Sequence, residues 1–182
     1  MDMTGERRIS APRETVWQAL NDPDVLRASI PGCESLTRSA PDTLDALVTL
    51  AIGPVRARFK GRLTLQDIDA PHGYAMAFEG QGGAAGFSKG TARVRLTAID
   101  AHSTRLHYEA QVQIGGKLAQ LGSRVIDGAS QKVIGEFFER FEAQLVAQAA
   151  PHPAPAAAPS MPPALPWWRV LWRRWFGSAA RA

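Results

Sequence analysis

Apolar and polar residues alternate with period two through most of the middle of the chain, the pattern of strands buried on one face. Over 44–52, Leu44, Ala46, Val48, Leu50 and Ile52 share one side. Gly53-Pro54 makes a turn. Over 56–66, Arg56, Arg58, Lys60, Arg62, Thr64 and Gln66 point one way, and Ala57, Phe59, Gly61, Leu63 and Leu65 the other. Pro71-His72-Gly73 then turns the chain into Tyr74, Met76 and Phe78. Residues 90–99 bury Ala92, Val94, Leu96 and Ala98, and 104–114 bury Leu106, Tyr108, Ala110, Val112 and Ile114. The connections are short, so neighbouring strands run antiparallel with one wet face and one core face.

The period changes at both ends of this block. Residues 4–9 read as a first strand. Ser10 is placed to cap a short helix over 12–20, with Pro12 in its first turn and Val16, Trp17 and Leu20 as its buried side. Asp22-Pro23 starts a second short helix to about Ala28, and Pro31-Gly32 turns the chain. Beyond Gly115-Gly116 a helix begins near Lys117. Its broad apolar face runs from Leu118 and Leu121 through Val125 and Ile126 to Phe141 and Leu145, interrupted by Gly122, Gly128 and Gly135. A helix this apolar needs a large partner surface, and the strands supply one. The element order is a strand, two short helices, about six antiparallel strands and one long helix. It predicts an α+β fold, a curved antiparallel sheet wrapped round a carboxy-terminal helix. Residues 1–149 form that domain, 150–166 a proline–alanine linker, and 167–177 a final helix.

Charge divides along the same boundary. The chain of 182 residues has 21 Lys+Arg against 17 Asp+Glu, and the whole excess of four lies after residue 150, in Arg169, Arg173, Arg174 and Arg181. Four of the five tryptophans lie there too. A domain with no net charge lacks the positive field that nucleic-acid binding requires, so no nucleic-acid partner is expected. The single cysteine, Cys33, excludes an internal disulfide or a cysteine-based metal cluster within one chain. His72, His102, His107 and His152 share no local spacing with a second ligand, so no metal site is expected. The amino terminus lacks an apolar signal region, and no apolar run approaches the ~20 residues that span a bilayer. A cytoplasmic protein, or one lying on a membrane, is the expectation.

The tail carries its own signal. At 100° per residue, Trp168, Leu171, Trp172 and Trp175 fall on one face, with Arg169 and Arg173 opposite and Trp167, Arg174 and Phe176 at the flanks. A helix of this length lies in a membrane interface, where tryptophan prefers the headgroup level. Three arginines at an anionic leaflet add about 3 kcal/mol. Docking on a partner protein or on the chain's own domain are the competing readings.

Three motifs resemble one family. Asp22-Pro23-Asp24-Val25-Leu26 continuing to Leu36, the Gly53–Gly61 hairpin, and Gly115–Asp127 together resemble the carbon monoxide dehydrogenase G-subunit family, in the START-like helix-grip superfamily. The likeness spans residues 2–147. It implies a helix-grip fold with an apolar cavity between sheet and helix, and an accessory partner role with a molybdenum hydroxylase of the carbon monoxide dehydrogenase type. It also implies recruitment of that enzyme to the inner face of the cytoplasmic membrane. A quinone, or another apolar lipid, is the implied ligand. No tightly bound cofactor and no catalytic residue are carried over, so an accessory protein rather than an enzyme is expected; the alternatives are a pure membrane adaptor or assembly factor without a ligand and, less favoured, a polyketide cyclase-like enzyme.

Small inward residues such as Ala46, Ala57, Gly61, Ala92 and Ala110 either leave room for a ligand or interdigitate tightly with large ones; the resemblance favours the cavity. Helix-grip analogy places its mouth where Ile30, Pro31 and Cys33 meet Val55, Phe87, Leu118, Leu121 and Val125. Leu50, Ile52, Phe59, Phe78, Leu96 and Tyr108 complete the expected lining. Tyr108 is expected to be alone among the inward positions in carrying an ionisable group, and to hydrogen-bond either a ligand carbonyl or another buried polar group. The Arg56–Arg62 stripe reads as a solvated face, Gly80–Gly86 as a flexible hairpin loop rather than a phosphate loop, and Cys33 as a packing residue.

Overall fold

The computed structural model describes residues 1–149. Along the chain run β1 (Asp2–Ile9), α1 (Arg13–Leu20), α2 (Pro23–Ser29), β2 (Cys33–Ala40), β3 (Thr43–Ile52) and β4 (Val55–Asp69). They are followed by β5 (Gly73–Gln81), β6 (Phe87–Asp100), β7 (Ser103–Gly115) and α3 (Ser123–Ala149). The seven strands form one antiparallel sheet in the order β1-β7-β6-β5-β4-β3-β2. The two short helices bridge from one edge strand to the other, and the inner face of the sheet is covered by α3. This is an α+β helix-grip arrangement.

Alternation marks β4 well: Phe59 and Leu65 are buried, while Arg56, Arg58, Lys60 and Arg62 stand in solvent. β2 has no such rhythm, because it is an edge strand whose pairing with β3 slips between Cys33 and Ser35 and again between Arg38 and Ala40. Bulges of this kind twist an edge and break the period that sequence reading depends on. Ala98, inward by period, is exposed, beside the irregularity between Ala98 and Asp100 in the pairing of β6 with β7.

Local chemistry sets the helix boundaries. Asp22 caps α2, its carboxylate accepting from the N–H groups of Asp24 at 2.8 Å and Val25 at 3.4 Å. Such a cap is worth about 1 kcal/mol. α1 begins differently from the expectation: Pro12, not Ser10, is the capping position, and no side chain caps it. The long helix also starts later than Lys117. Leu118 is buried and leads into a single 3-10 turn over Ala119–Leu121, and Gly122 at φ +82° breaks it before α3 begins at Ser123. The left-handed backbone at Gly122 is what separates the two.

The inner face supports two apolar clusters. The larger gathers Ile9, Val16, Leu20, Leu96 and Leu106 around Phe138, Phe141 and Leu145 of α3. The smaller packs Phe59 and Ala85 against Leu118 and Ile126, with Leu50, Ile52, Val55 and Leu121 around them.

Candidate functional site: an apolar cavity beneath the long helix

A cavity of about 370 Å³ lies between the inner face of β4–β7 and Val133, Ile134, Phe137 and Phe138 of α3, with Leu26, Ile30 and Pro31 along its side. Its origin is in the register. Ala92 of β6 and Ala110 of β7 stand directly opposite each other beneath the helix. Two methyl groups fill little of the space that larger side chains would take at these positions. The volume falls at the small end of the ~300–1,000 Å³ typical of small-molecule sites.

Two phenols interrupt an otherwise aliphatic and aromatic wall. Tyr74 is buried and meets Trp17 edge-on, with ring centroids 5.8 Å apart. Burial pushes its phenol up to about 12, because the phenolate would lose its hydration there. The Tyr108 ring lies 5.9 Å from that of Phe138, and its oxygen leans over the backbone of Gly5. On the Phe138 ring the Arg7 guanidinium sits 5.5 Å from the centroid, a cation–π contact at the rim.

The expected lining residues divide among three places. Ile30, Pro31, Phe78 and Tyr108 line this cavity. Leu50, Ile52, Val55, Phe59, Leu118 and Leu121 instead belong to the second cluster, nearer the amino-terminal end of α3. Leu96 is in the larger core but off the cavity wall. Of the remaining three, Phe87 is partly exposed and its ring lies against the backbone of Gly115. Val125 is also partly exposed; it lines a surface groove between α3 and the β3 side of the sheet, together with Gly32, Thr49 and Gly53. Pro31 and Val133 line both this groove and the cavity. Cys33 is half-buried outside the wall, its Sγ 3.4 Å from the Ser35 carbonyl. Desolvation raises its pKa, which disfavours a reactive thiolate.

Sequence reading misses Tyr74 as a polar wall residue, although its place in the Tyr74, Met76, Phe78 triplet gives its face. Leu63, Leu65, Val133, Ile134 and Phe137 are likewise visible in the sequence as inward residues and not as ligand contacts. The basic stripe on β4 is partly neutralised: Arg58 pairs with Glu34, and Arg62 with Asp45 at 2.8 Å. The Gly80–Gly86 loop is packed rather than open. Ala85 is buried, its carbonyl accepts from Leu118 N–H at 3.0 Å, and a Cβ on Gly86 would lie 2.0 Å from the Gly115 oxygen. Among the described residues no group of three or more His, Cys, Asp or Glu could hold a metal ion, and no helix is long and apolar enough to cross a membrane. Residues 150–182, with Trp167, Trp168, Arg169, Leu171, Trp172, Arg173, Arg174, Trp175 and Phe176, lie outside the described residues.

Solved structures share this architecture. A START superfamily protein from Mycobacterium smegmatis superposes with a TM-score of 0.63 at 14% identity, over 81% of this chain and 98% of that one. The Zhui aromatase/cyclase from Streptomyces sp. R1128 gives 0.61 at 11% identity, over 82% and 95%. At such identities the likeness defines a class, the START-like helix-grip fold. A conserved protein from Geobacillus kaustophilus is more similar, with a TM-score of 0.77 at 28% identity over 81% of this chain and 97% of that one. Comparison with curated protein sequences gives no match. The sequence pattern of the carbon monoxide dehydrogenase G-subunit (CoxG) family matches residues 5–146, and the chain belongs to that family.

Proposed function

We propose that this protein is a non-catalytic accessory of a molybdenum hydroxylase of the carbon monoxide dehydrogenase type. Its cavity holds an apolar molecule, a quinone, and its tail rests on the inner face of the cytoplasmic membrane. The observation that carries the reading is an apolar cavity beneath α3 in a chain of the CoxG family. Apolar walls take a ring and its first isoprenoid units out of water, and the hydrophobic effect supplies the affinity. Pro31 and Val133 line both the cavity and the groove beside α3, and on this reading the rest of a long chain leaves on that side. A soluble dehydrogenase would thereby reach an electron acceptor that is confined to the bilayer.

The Zhui likeness raises a second reading, a cyclase-type enzyme. General acid–base catalysis needs a positioned pair of groups that exchange protons near neutral pH. Tyr74 and Tyr108 are the ionisable side chains on the wall among the described residues, and Tyr74 holds its proton to about pH 12. That chemistry favours a carrier.

The test is native mass spectrometry with solvent extraction on the full chain, after incubation with quinone-loaded anionic vesicles. One bound quinone per chain is expected. No bound quinone at any loading overturns the carrier and leaves a membrane adaptor without a ligand.

A further inference from the structure

Among the described residues four hydroxyl-bearing side chains are buried, and three of them donate to a protein oxygen. Ser29 Oγ donates to the Val25 carbonyl at 2.7 Å, Thr104 Oγ1 to the Ala11 carbonyl at 2.7 Å, and Ser103 Oγ to Asp100 Oδ2 at 2.6 Å. Tyr74 is only 7% exposed, and among the described residues no hydrogen bond to its hydroxyl accompanies the raised pKa, for which burial alone accounts; its oxygen is not sealed in, since the enclosed side-chain atom without a partner is Arg13 Nε. A phenol oxygen that reaches open space and has no protein partner is free to donate to whatever fills that space.

The register shows where the unused donor is available. Tyr74, Val94, Tyr108 and Gly5 form one row across β5, β6, β7 and β1, so their side chains share the inner face. The Tyr108 oxygen leans toward Gly5, the far end of the row from Tyr74. Tyr74 is thus the phenol left for whatever occupies the cavity. A trapped water would need two to four polar partners, and this wall does not provide them. An apolar molecule with one oxygen acceptor fits better. The phenol keeps its proton far above neutral pH and is a constant donor.

We infer that Tyr74 donates a hydrogen bond to an oxygen of the bound molecule, so that the cavity selects apolar ligands bearing a carbonyl over hydrocarbons of the same shape. This rests on the proposal that the cavity holds an apolar ligand. It adds the residue that reads the ligand's polar end.

The experiment compares the full-length protein with Tyr74→Phe, using a prenylated 1,4-naphthoquinone and the matching prenylated naphthalene as probes. Affinities come from equilibrium dialysis, and the quinone carbonyl stretch from difference infrared spectroscopy. The native protein should prefer the quinone about 10-fold, equivalent to about 1.4 kcal/mol. Tyr74→Phe should lose that preference, keep its affinity for the naphthalene, and return the carbonyl stretch toward its value in an apolar solvent. The substitution keeps the ring that packs on Trp17, and an unchanged near-ultraviolet circular dichroism spectrum verifies the fold. Equal affinity of the native protein for both probes, or a preference that survives in Tyr74→Phe, overturns the inference while leaving the cavity a binding site. Binding of neither probe overturns the carrier reading and this inference with it.

Discussion

Tyr108 lies so close to Gly5 that a Cβ built on the glycine would stand 2.3 Å from the phenol oxygen. The two residues face each other across β7 and β1, and the absent side chain of one accommodates the other. Gly5→Ala should therefore drive the ring toward Phe138 and into the cavity. Overpacking of this kind costs about 1–3 kcal/mol. Urea unfolding should show that loss, and combining Gly5→Ala with Tyr108→Leu should recover most of it. An unchanged midpoint in Gly5→Ala would mean that the ring moves aside freely.

Ala92→Leu tests whether the cavity is real space. Ala92 faces Ala110 across β6 and β7 and lines the wall, so the added carbons should enter the void rather than strain the core. Burying them in a void contributes about 1–2 kcal/mol, by the same transfer term that operates when a core side chain is trimmed. The expected outcome is a higher Tm together with at least a 10-fold loss of quinone affinity. A lower Tm would indicate that the core was already filled there.

Period two gives the face of each residue over 56–66 of β4 and along β7 correctly, and on β6 as far as Leu96, because every second side chain points to the same side whatever the sheet's curvature. It gives no position along the strand. Phe59 and Leu65 share a face of β4 but lie six residues apart, about 20 Å at 3.3 Å per residue. One belongs to the second cluster, the other to the cavity wall. Placing the mouth by analogy draws Leu118, Leu121 and Val55 from the wrong end of the sheet for this cavity. Which stretch of α3 covers which stretch of strand depends on sheet twist and on the break at Gly122, and neither is encoded in a local period. The lone donor at Tyr74 is hidden for a related reason. A hydroxyl lacks a partner only in relation to residues far away in sequence.

Alkaline titration should isolate Tyr74. Its pKa is about 12 in the folded protein, against about 10 for a tyrosine in an unfolded chain. Between these values the native state holds a proton that the unfolded state has released, so stability falls as pH rises. The contribution is fully present below pH 10 and is lost as pH climbs through about 12; the difference amounts to about 2–3 kcal/mol. Urea unfolding from about pH 9 to 12 should therefore show a steeper decline for the native protein than for Tyr74→Phe, a comparison that cancels every titration the two proteins share. At neutral pH Tyr74→Phe should be at least as stable as the native protein, since the hydroxyl it removes has no protein partner to lose. A loss above about 1 kcal/mol at neutral pH would point instead to a structural hydrogen bond.

The sequence of the tail predicts its own signature at a membrane. Trp168, Leu171, Trp172 and Trp175 form an apolar stripe at helical spacing, and Arg169, Arg173 and Arg174 provide the charge. The two terms separate by salt, because headgroup attraction is screened within about 8 Å at physiological ionic strength whereas burial of tryptophan rings is not. Sedimentation with anionic vesicles should pull down the full chain, and replacing the three arginines by glutamine should weaken binding about 100-fold at low salt, at about 1 kcal/mol each. Replacing Trp168, Trp172 and Trp175 by alanine should weaken it at every salt concentration. If the tail instead docks on a partner protein, neither set changes vesicle binding. Both would then lower recovery of the dehydrogenase in pull-downs done without lipid.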